Sequence, residues 1–415
     1  MLSELGHTRF LNIGLRGITL ASKFLLVVFF AKFLDPRDLG LYGLFIATIG
    51  YGIYIIGFEF YTFSMRELIS AKREERSQII KNQFSFYLSA YLLCSPLLVL
   101  FFYYGGLPWE YFWWFLIILV LEHVAQELNR ILISLSDQLY AGVILFIRSG
   151  LWGIVVISVQ WCVPELRNLN FVFLMWLMSC LFACVLAIKR IANQCDSFSG
   201  LKIDIAWIVL GLKVAFPMLL ASLATRGIFT FDKYLVEGVG GLELLGSYVF
   251  FIGMVTAVIS FIDAGVVDFA YPKLVSASWL ADKGEFKKEM ALLMRNVILL
   301  GSVLILVCGV VSYFLVQYIN KPVYTNNIYI LYWLLAAIAI NTLSLIPHLG
   351  LYALGRNNPI VFSQVFGLLV FLVVSHYLNK SYGLVSILWA MCSAWLSILL
   401  RKLTAYRAAA LKFNH

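Results

Sequence analysis

The chain has 415 residues, 62% of them hydrophobic and only 13% charged, with a formal net charge of +9. A soluble globular protein carries about 25% charged residues, so the composition excludes a water-soluble fold and describes a polytopic membrane protein. In that setting the basic excess reads as Lys and Arg in cytoplasmic loops, and nucleic acid is not an expected partner.

Windows of about 20 apolar residues predict an all-α chain of twelve transmembrane helices. They lie at approximately 12–34, 39–62, 84–104, 111–133, 139–160, 170–190, 205–228, 243–270, 292–317, 326–352, 359–378 and 382–406. The first carries Arg16 and Lys23 inside its apolar run. Seven residues are nearly two helical turns, so both cations share one face. A cation near the bilayer centre costs roughly 2.5–3.5 kcal/mol on insertion scales. Arg16 can snorkel along its own stem, but Lys23 lies deeper. Such a stripe calls for a hydrated cavity or an anion, and points to an anionic cargo. This first run ends at Asp35-Pro36-Arg37-Asp38, which is not a small-residue cleavage site, so it is expected to stay attached. Pro36, Pro108, Pro164, Pro322 and Pro359 sit in or beside the connections, where helices break.

The loops set the orientation. Arg66, Lys72, Arg73, Arg76 and Lys81 follow the second helix; Lys189, Arg190 and Lys202 follow the sixth; Lys283, Lys287 and Lys288 follow the eighth; Arg401, Lys402, Arg407 and Lys412 end the chain. The alternate loops carry mostly single cations, so both termini are expected in the cytoplasm. Residues 66–83 mix Leu68, Ile69, Ile79 and Ile80 with charges; they read either as an interfacial helix or as a solvated connector. Leu39-Gly40-Leu41-Tyr42 returns as Leu245-Gly246-Ser247-Tyr248 about half the chain later. Six helices per half is an even number, so the halves share a topology and relate by a pseudo-two-fold axis along the membrane normal. The expected domains are an N-terminal six-helix bundle, 1–195, and a C-terminal one, 196–415.

The intramembrane charges are the candidate site. Arg16, Lys23, Arg148, Lys213 and Arg226 are candidates for binding an anion; Glu59, Glu122 and Asp263 are candidates for carrying a coupling H+ or Na+. Arg offers a planar fork to phosphate and Lys a mobile point charge. Other readings stand beside these. Glu127 and Arg130, three apart, can pair on their own helix. Glu122 can neutralise Arg148 or Lys23 as a structural pair. His123 is either a proton carrier or a packed imidazole. The aromatic content of 16% suits sugar stacking, and equally the interface belts of membrane proteins, as at Trp109, Tyr111, Trp113 and Trp114. The seven cysteines mostly lie in apolar runs without zinc-ligand spacing, so neither a metal nor a disulfide framework is expected. No P-loop, HExxH, GxSxG or dinucleotide fingerprint is present, and no cofactor or catalytic residue is assigned.

The polar face of the first helix leads into Phe33-Leu34-Asp35-Pro36-Arg37-Asp38-Leu39-Gly40-Leu41-Tyr42, then Gly57-Phe58-Glu59-Phe60-Tyr61 and Arg66-Glu67. In the second half, Phe231-Asp232-Lys233-Tyr234-Leu235 leads to the second glycine repeat, and Ala270-Tyr271-Pro272-Lys273-Leu274 closes the eighth helix. This pattern resembles the O-antigen type of polysaccharide flippase in the multidrug/oligosaccharidyl-lipid/polysaccharide exporter superfamily. The resemblance implies two six-helix bundles that open alternately to either side of a bacterial inner membrane. It implies an undecaprenyl-pyrophosphate-linked oligosaccharide as cargo, in contact with membrane lipid, with a glycan polymerase and a chain-length regulator as candidate partners. It also implies coupling to an ion gradient without ATP. Two other classes remain open on the residues: a multidrug or metabolite exporter, which favours acidic cavity residues, and a membrane glycosyltransferase or glycan polymerase, for which the outer loops are short.

Overall fold

The computed structural model describes residues 2–197 and 200–414. The regular structure among them is entirely helical, as expected. The helices are α1 (Leu2–Phe33), α2 (Pro36–Gly57), α3 (Tyr61–Ser70), α4 (Arg73–Tyr103), α5 (Phe112–Ser134), α6 (Gln138–Phe146), α7 (Trp152–Cys162), α8 (Leu169–Ala192), α9 (Ile205–Ile262), α10 (Asp268–Trp279), α11 (Lys283–Ile319), α12 (Pro322–Asn326), α13 (Tyr329–Ala353), α14 (Asn357–Tyr382) and α15 (Leu384–Asn414). Among the described residues, ten segments are long and apolar enough to cross a membrane. One of them, Ile205–Trp279, runs for 75 residues and breaks at Gly241, whose φ is 70°. The 23-residue α5 falls outside these ten because Glu122, His123, Glu127 and Arg130 interrupt it. The described residues therefore hold ten to twelve apolar helices of spanning length.

Several boundaries differ from expectation, each for a physical reason. The second helix was expected to reach residue 62, but α2 stops at Gly57 because Phe58 and Glu59 turn left-handed, at φ 52° and 54°. The charged stretch 66–83 is not one interfacial helix. Its start ends α3 and its remainder opens α4, with Glu75 folded back to accept from the Lys72 amide at 2.9 Å, half of a capping box. The predicted helix at 139–160 is α6 and α7 joined by a π-helical turn, Ile147–Leu151. A π turn frees carbonyls from the i→i−4 ladder. Here Ser179 donates to Ile147 O, and Ser22 donates to Gly150 O at 2.6 Å. Asp263–Val267 forms a second π turn.

Two compact units are present: residues 1–29 with 44–223, and residues 30–43 with 224–415. They part at Leu223/Ala224, inside α9, and not at the 195/196 connection. The start of α9 belongs to the first unit because Gly211 lets it approach Phe60 and Phe63, and Trp207 lies edge-on to Phe60 at 5.5 Å. The core of the first unit is aromatic at one level, where Phe45 stacks on Phe173 at 4.2 Å and Trp152 on Trp176 at 5.6 Å. At another level it is aliphatic, around Leu128, Ile131, Leu132, Ile144 and Ile191.

In the second unit the two glycine repeats meet. A methyl built on Gly40 would overlap the carbonyl oxygen of Leu242, and one built on Gly246 would overlap that of Pro36. Pro36 stands four residues before Gly40, as Leu242 does before Gly246, so the contact is reciprocal. Each glycine removes the Cβ that would hold the two backbones apart. Tyr42 and Tyr248, two residues beyond each glycine, are both buried. Close by, lysines cap helix ends. Lys32 Nζ donates to Tyr318 O at 2.7 Å at the end of α11, and Lys321 Nζ donates to Leu34 O at 2.6 Å just past the end of α1. Cations are favoured at these carbonyl-rich termini.

Candidate functional site

Two polar stripes face each other in the first unit. On α4, Gln83, Tyr87 and Tyr91 recur every four residues, hence on one face. On α5, His123, Glu127 and Arg130 follow at four and three. Burial makes their pairing obligatory, since an unsatisfied polar group away from water costs several kcal/mol. Glu127, fully buried, accepts from Tyr87 Oη at 2.6 Å and from Gln83 Nε2 at 2.9 Å, and pairs with Arg130 through its other oxygen. The Arg130 guanidinium lies 3.4 Å from the centre of the Tyr61 ring, a cation–π contact. Tyr91 Oη is 2.6 Å from His123 Nδ1. Glu59 sits in the α2–α3 break, only 4% exposed, and accepts from Ser222 Oγ of α9 at 2.5 Å.

The sequence candidates fall into three groups. Arg148 and Glu122 come together: Arg148 Nη1 lies 2.9 Å from Glu122 Oε1, with side chains 11% and 14% exposed. Trp176 Nε1 donates to the other Glu122 oxygen at 3.2 Å, and Cys180 Sγ donates to it at 2.9 Å. This is the structural pair allowed for by one sequence reading, and it lies on the π turn between α6 and α7. Glu59 is bonded to Ser222 of α9 and is not brought to Glu122 by any described hydrogen bond. Arg16, Lys23, Lys213 and Arg226 are exposed side chains on α1 and α9, and Asp263 is exposed at the second π turn. Among the described residues no group of three or more His, Cys, Asp or Glu side chains is placed to hold a metal ion.

Some polar sites were missed from sequence. Glu127 was read only as a partner for Arg130, although the stripe on α4 signals a second helix bonding to it. In the second unit Asp232 is fully buried; it accepts from Tyr248 Oη at 2.6 Å and from the Lys233 amide at 2.7 Å. Lys402, counted as a tail cation, is buried with Ser344 Oγ at 3.3 Å. Outside the spans, burial lowers the pKa of the Lys321 amine, with Asp35 opposing and Lys32 reinforcing the shift.

With this geometry, the chain aligns over 97% of its length with 99% of an inward-facing multidrug resistance MATE family transporter of the MOP superfamily, at a TM-score of 0.77 and 13% identity. This chain has the fold of the MATE transporters. An outward-facing multidrug resistance MATE transporter aligns at a TM-score of 0.59 and 13% identity, covering 96% of this chain and 94% of the other. The Vibrio cholerae MATE transporter VcmN in its bent form aligns at 0.57 and 14%, covering 99% and 97%. No protein-family profile matches the sequence, and no curated protein sequence does. At such identities the likeness is one of fold alone.

Proposed function

We propose that the chain is a flippase that moves undecaprenyl-pyrophosphate-linked oligosaccharide from the cytoplasmic to the periplasmic leaflet of a bacterial inner membrane. The observation that carries this reading is the exposure of Arg16 and Lys23 on α1, inside a span of 23 residues. Cations at that depth face water or an anion, because acyl chains solvate neither. Lys213 is exposed as well and adds positive charge to the same unit. A pyrophosphate head group fits such a surface, with Arg binding through its fork and Lys as a point charge. Arg226 extends the candidate set, and Arg148 belongs to it only in a state that releases Glu122.

In this proposal twelve helices cross the membrane, with the break at Gly241 and the polar α5 raising ten spans to twelve. Both termini lie in the cytoplasm, and two six-helix bundles expose the cargo alternately to each side. The prenyl tail stays in lipid, and H+ or Na+ at Glu59, Glu122 or Asp263 biases the cycle. Transport changes no covalent bond, so no enzymatic step is assigned. A glycan polymerase and a chain-length regulator are proposed partners downstream of the flipped product. The test is complementation of a flippase-deficient strain. Wild type restores surface glycan, and Lys23→Ala abolishes it at equal membrane abundance. If Lys23→Ala and Arg16→Ala both restore glycan fully, the anionic-cargo reading fails.

Multidrug export is a second reading. It is favoured by the multidrug MATE structures that share the fold and by the buried acids Glu59 and Glu127, which suit cationic cargo. Dye efflux from expressing cells, without glycan complementation, selects it.

A further inference from the structure

Three observations converge on the end of α2. First, His123 is fully buried, and its Nε2 has no hydrogen-bond partner. Second, that nitrogen faces the α2–α3 break: a methyl built on Gly57 would stand 2.8 Å from it. Third, the next two residues, Phe58 and Glu59, both hold left-handed backbone. For non-glycine residues such conformations cost on the order of 1 kcal/mol or more each and persist only where the surroundings enforce them. Glu59 is itself a buried carboxylate. An imidazole nitrogen without a partner is thus aimed at a strained backbone that holds a buried acid.

We infer that His123 is a proton-binding site at Nε2 and that the Gly57–Glu59 break is the element that answers its protonation. The inference rests on the transport reading and supplies the coupling ion. Tyr91 at Nδ1 holds the ring in place and leaves Nε2 as the open position. In the neutral ring with its proton on Nδ1, the Nε2 lone pair has no donor. A proton arriving from water bonds to that lone pair, and the imidazolium then presents an N–H that needs an acceptor. The break supplies acceptors, the Glu59 carboxylate first among them, once the left-handed pair relaxes and Ser222 releases its hydrogen bond.

Polar groups of neighbouring helices surround the ring. From α4, the Tyr87 ring lies 4.6 Å from the imidazole, and Tyr91 reaches Nδ1. On α5 itself, Glu127 and Arg130 carry opposite charges and are bonded to each other. Cys184 of α8 donates to Leu121 O at 3.8 Å. The ring is closed to solvent in the state described here, so loading and unloading of the proton require the break to open. That is what prevents an uncoupled proton leak.

The experiment is amide hydrogen exchange by mass spectrometry on the full chain in nanodiscs from pH 8 to pH 5. It reads the peptide covering residues 54–63, after division by the intrinsic chemical rate, and needs no cargo. One coupled proton raises opening by at most about tenfold per pH unit. Wild type is expected to approach that slope over part of the range, and His123→Gln to be flat. Tyr91→Phe, which keeps the imidazole, is expected to move the midpoint, and Glu59→Gln to weaken the response. Replacing Na+ by K+ is expected to change nothing. A flat wild-type profile, or the same slope in His123→Gln, overturns the proposal. If His123→Gln does not fold, an unmoved midpoint in Tyr91→Phe overturns it. Glycan complementation stands or falls separately.

Discussion

Arg148→Met places the Glu122 pair under a direct test. The change keeps an unbranched apolar stem but removes the partner 2.9 Å from Glu122 Oε1. Glu122, 14% exposed, keeps only the Trp176 indole and the Cys180 thiol on its other oxygen. Breaking a buried pair from one side costs about 3–5 kcal/mol, because the remaining charge is uncompensated. Replacing both partners with neutral groups of similar volume is close to neutral. Glu122→Gln with Arg148→Met together is therefore expected to recover most of the loss, leaving a coupling energy of about 2–3 kcal/mol between the sites. Equilibrium unfolding in mixed micelles, run on wild type, both single variants and the double variant, measures it. The same four proteins in the complementation assay separate structure from cargo binding. If Arg148 serves only the fold, the double variant regains activity along with stability. A double variant as unstable as Arg148→Met, or additive single changes, refutes the pairing argument.

Gly40→Ala and Gly246→Ala force a methyl into a backbone carbonyl, and each is expected to cost about 1–3 kcal/mol or more by overpacking. Gly14→Ala, with no neighbour within 4 Å, serves as the control and is expected to leave the same unfolding midpoint unchanged or slightly raised. Glu127→Leu strips Arg130, Gln83 and Tyr87 of one shared acceptor, and a loss of about 3–5 kcal/mol is expected; Glu127→Gln, which keeps an acceptor, is expected to lose less. Lys32→Met and Lys321→Met remove helix-end cations and are each expected to lower stability by about 0.3–1 kcal/mol. Lys321 also gives a pH signature. Its lowered folded pKa means the unfolded chain binds the proton more tightly, so stability is expected to rise with pH from the lowered value up to the ordinary lysine value. A pH series of unfolding midpoints in that alkaline window should lose this slope in Lys321→Met.

The all-helical class and a series of ten to twelve apolar helices were legible because long apolar runs are read directly from hydropathy. Breaks inside apolar runs were not. Gly57-Phe58-Glu59-Phe60 keeps enough apolar character to be read as helix, and only tertiary packing makes Phe58 and Glu59 left-handed. Ile147-Arg148-Ser149-Gly150-Leu151 likewise reads as ordinary helix, since the π turn depends on Ser22 and Ser179 from other helices. Local pairing was visible where spacing decides it, as for Glu127 and Arg130 at three residues. Sequence narrowed the partner of Glu122 to Arg148 or Lys23, and only coordinates could choose. The buried Lys402 was misplaced because its neighbours Arg401 and Arg407 made it look like part of a basic tail. The glycine repeat was seen as a repeat, but not as a contact.

That contact sets what kinds of change the protein can absorb there. Where two main chains touch through missing side chains, the junction responds to atomic size and is indifferent to polarity. A library randomised at positions 40 and 246 should return glycine alone at both, whatever lipid or detergent surrounds the selection. Flanking surface positions in the same library should drift freely. Bulk at either glycine acts as a wedge, so graded substitutions there would offer a mechanical handle on the molecule that leaves every charged group in place.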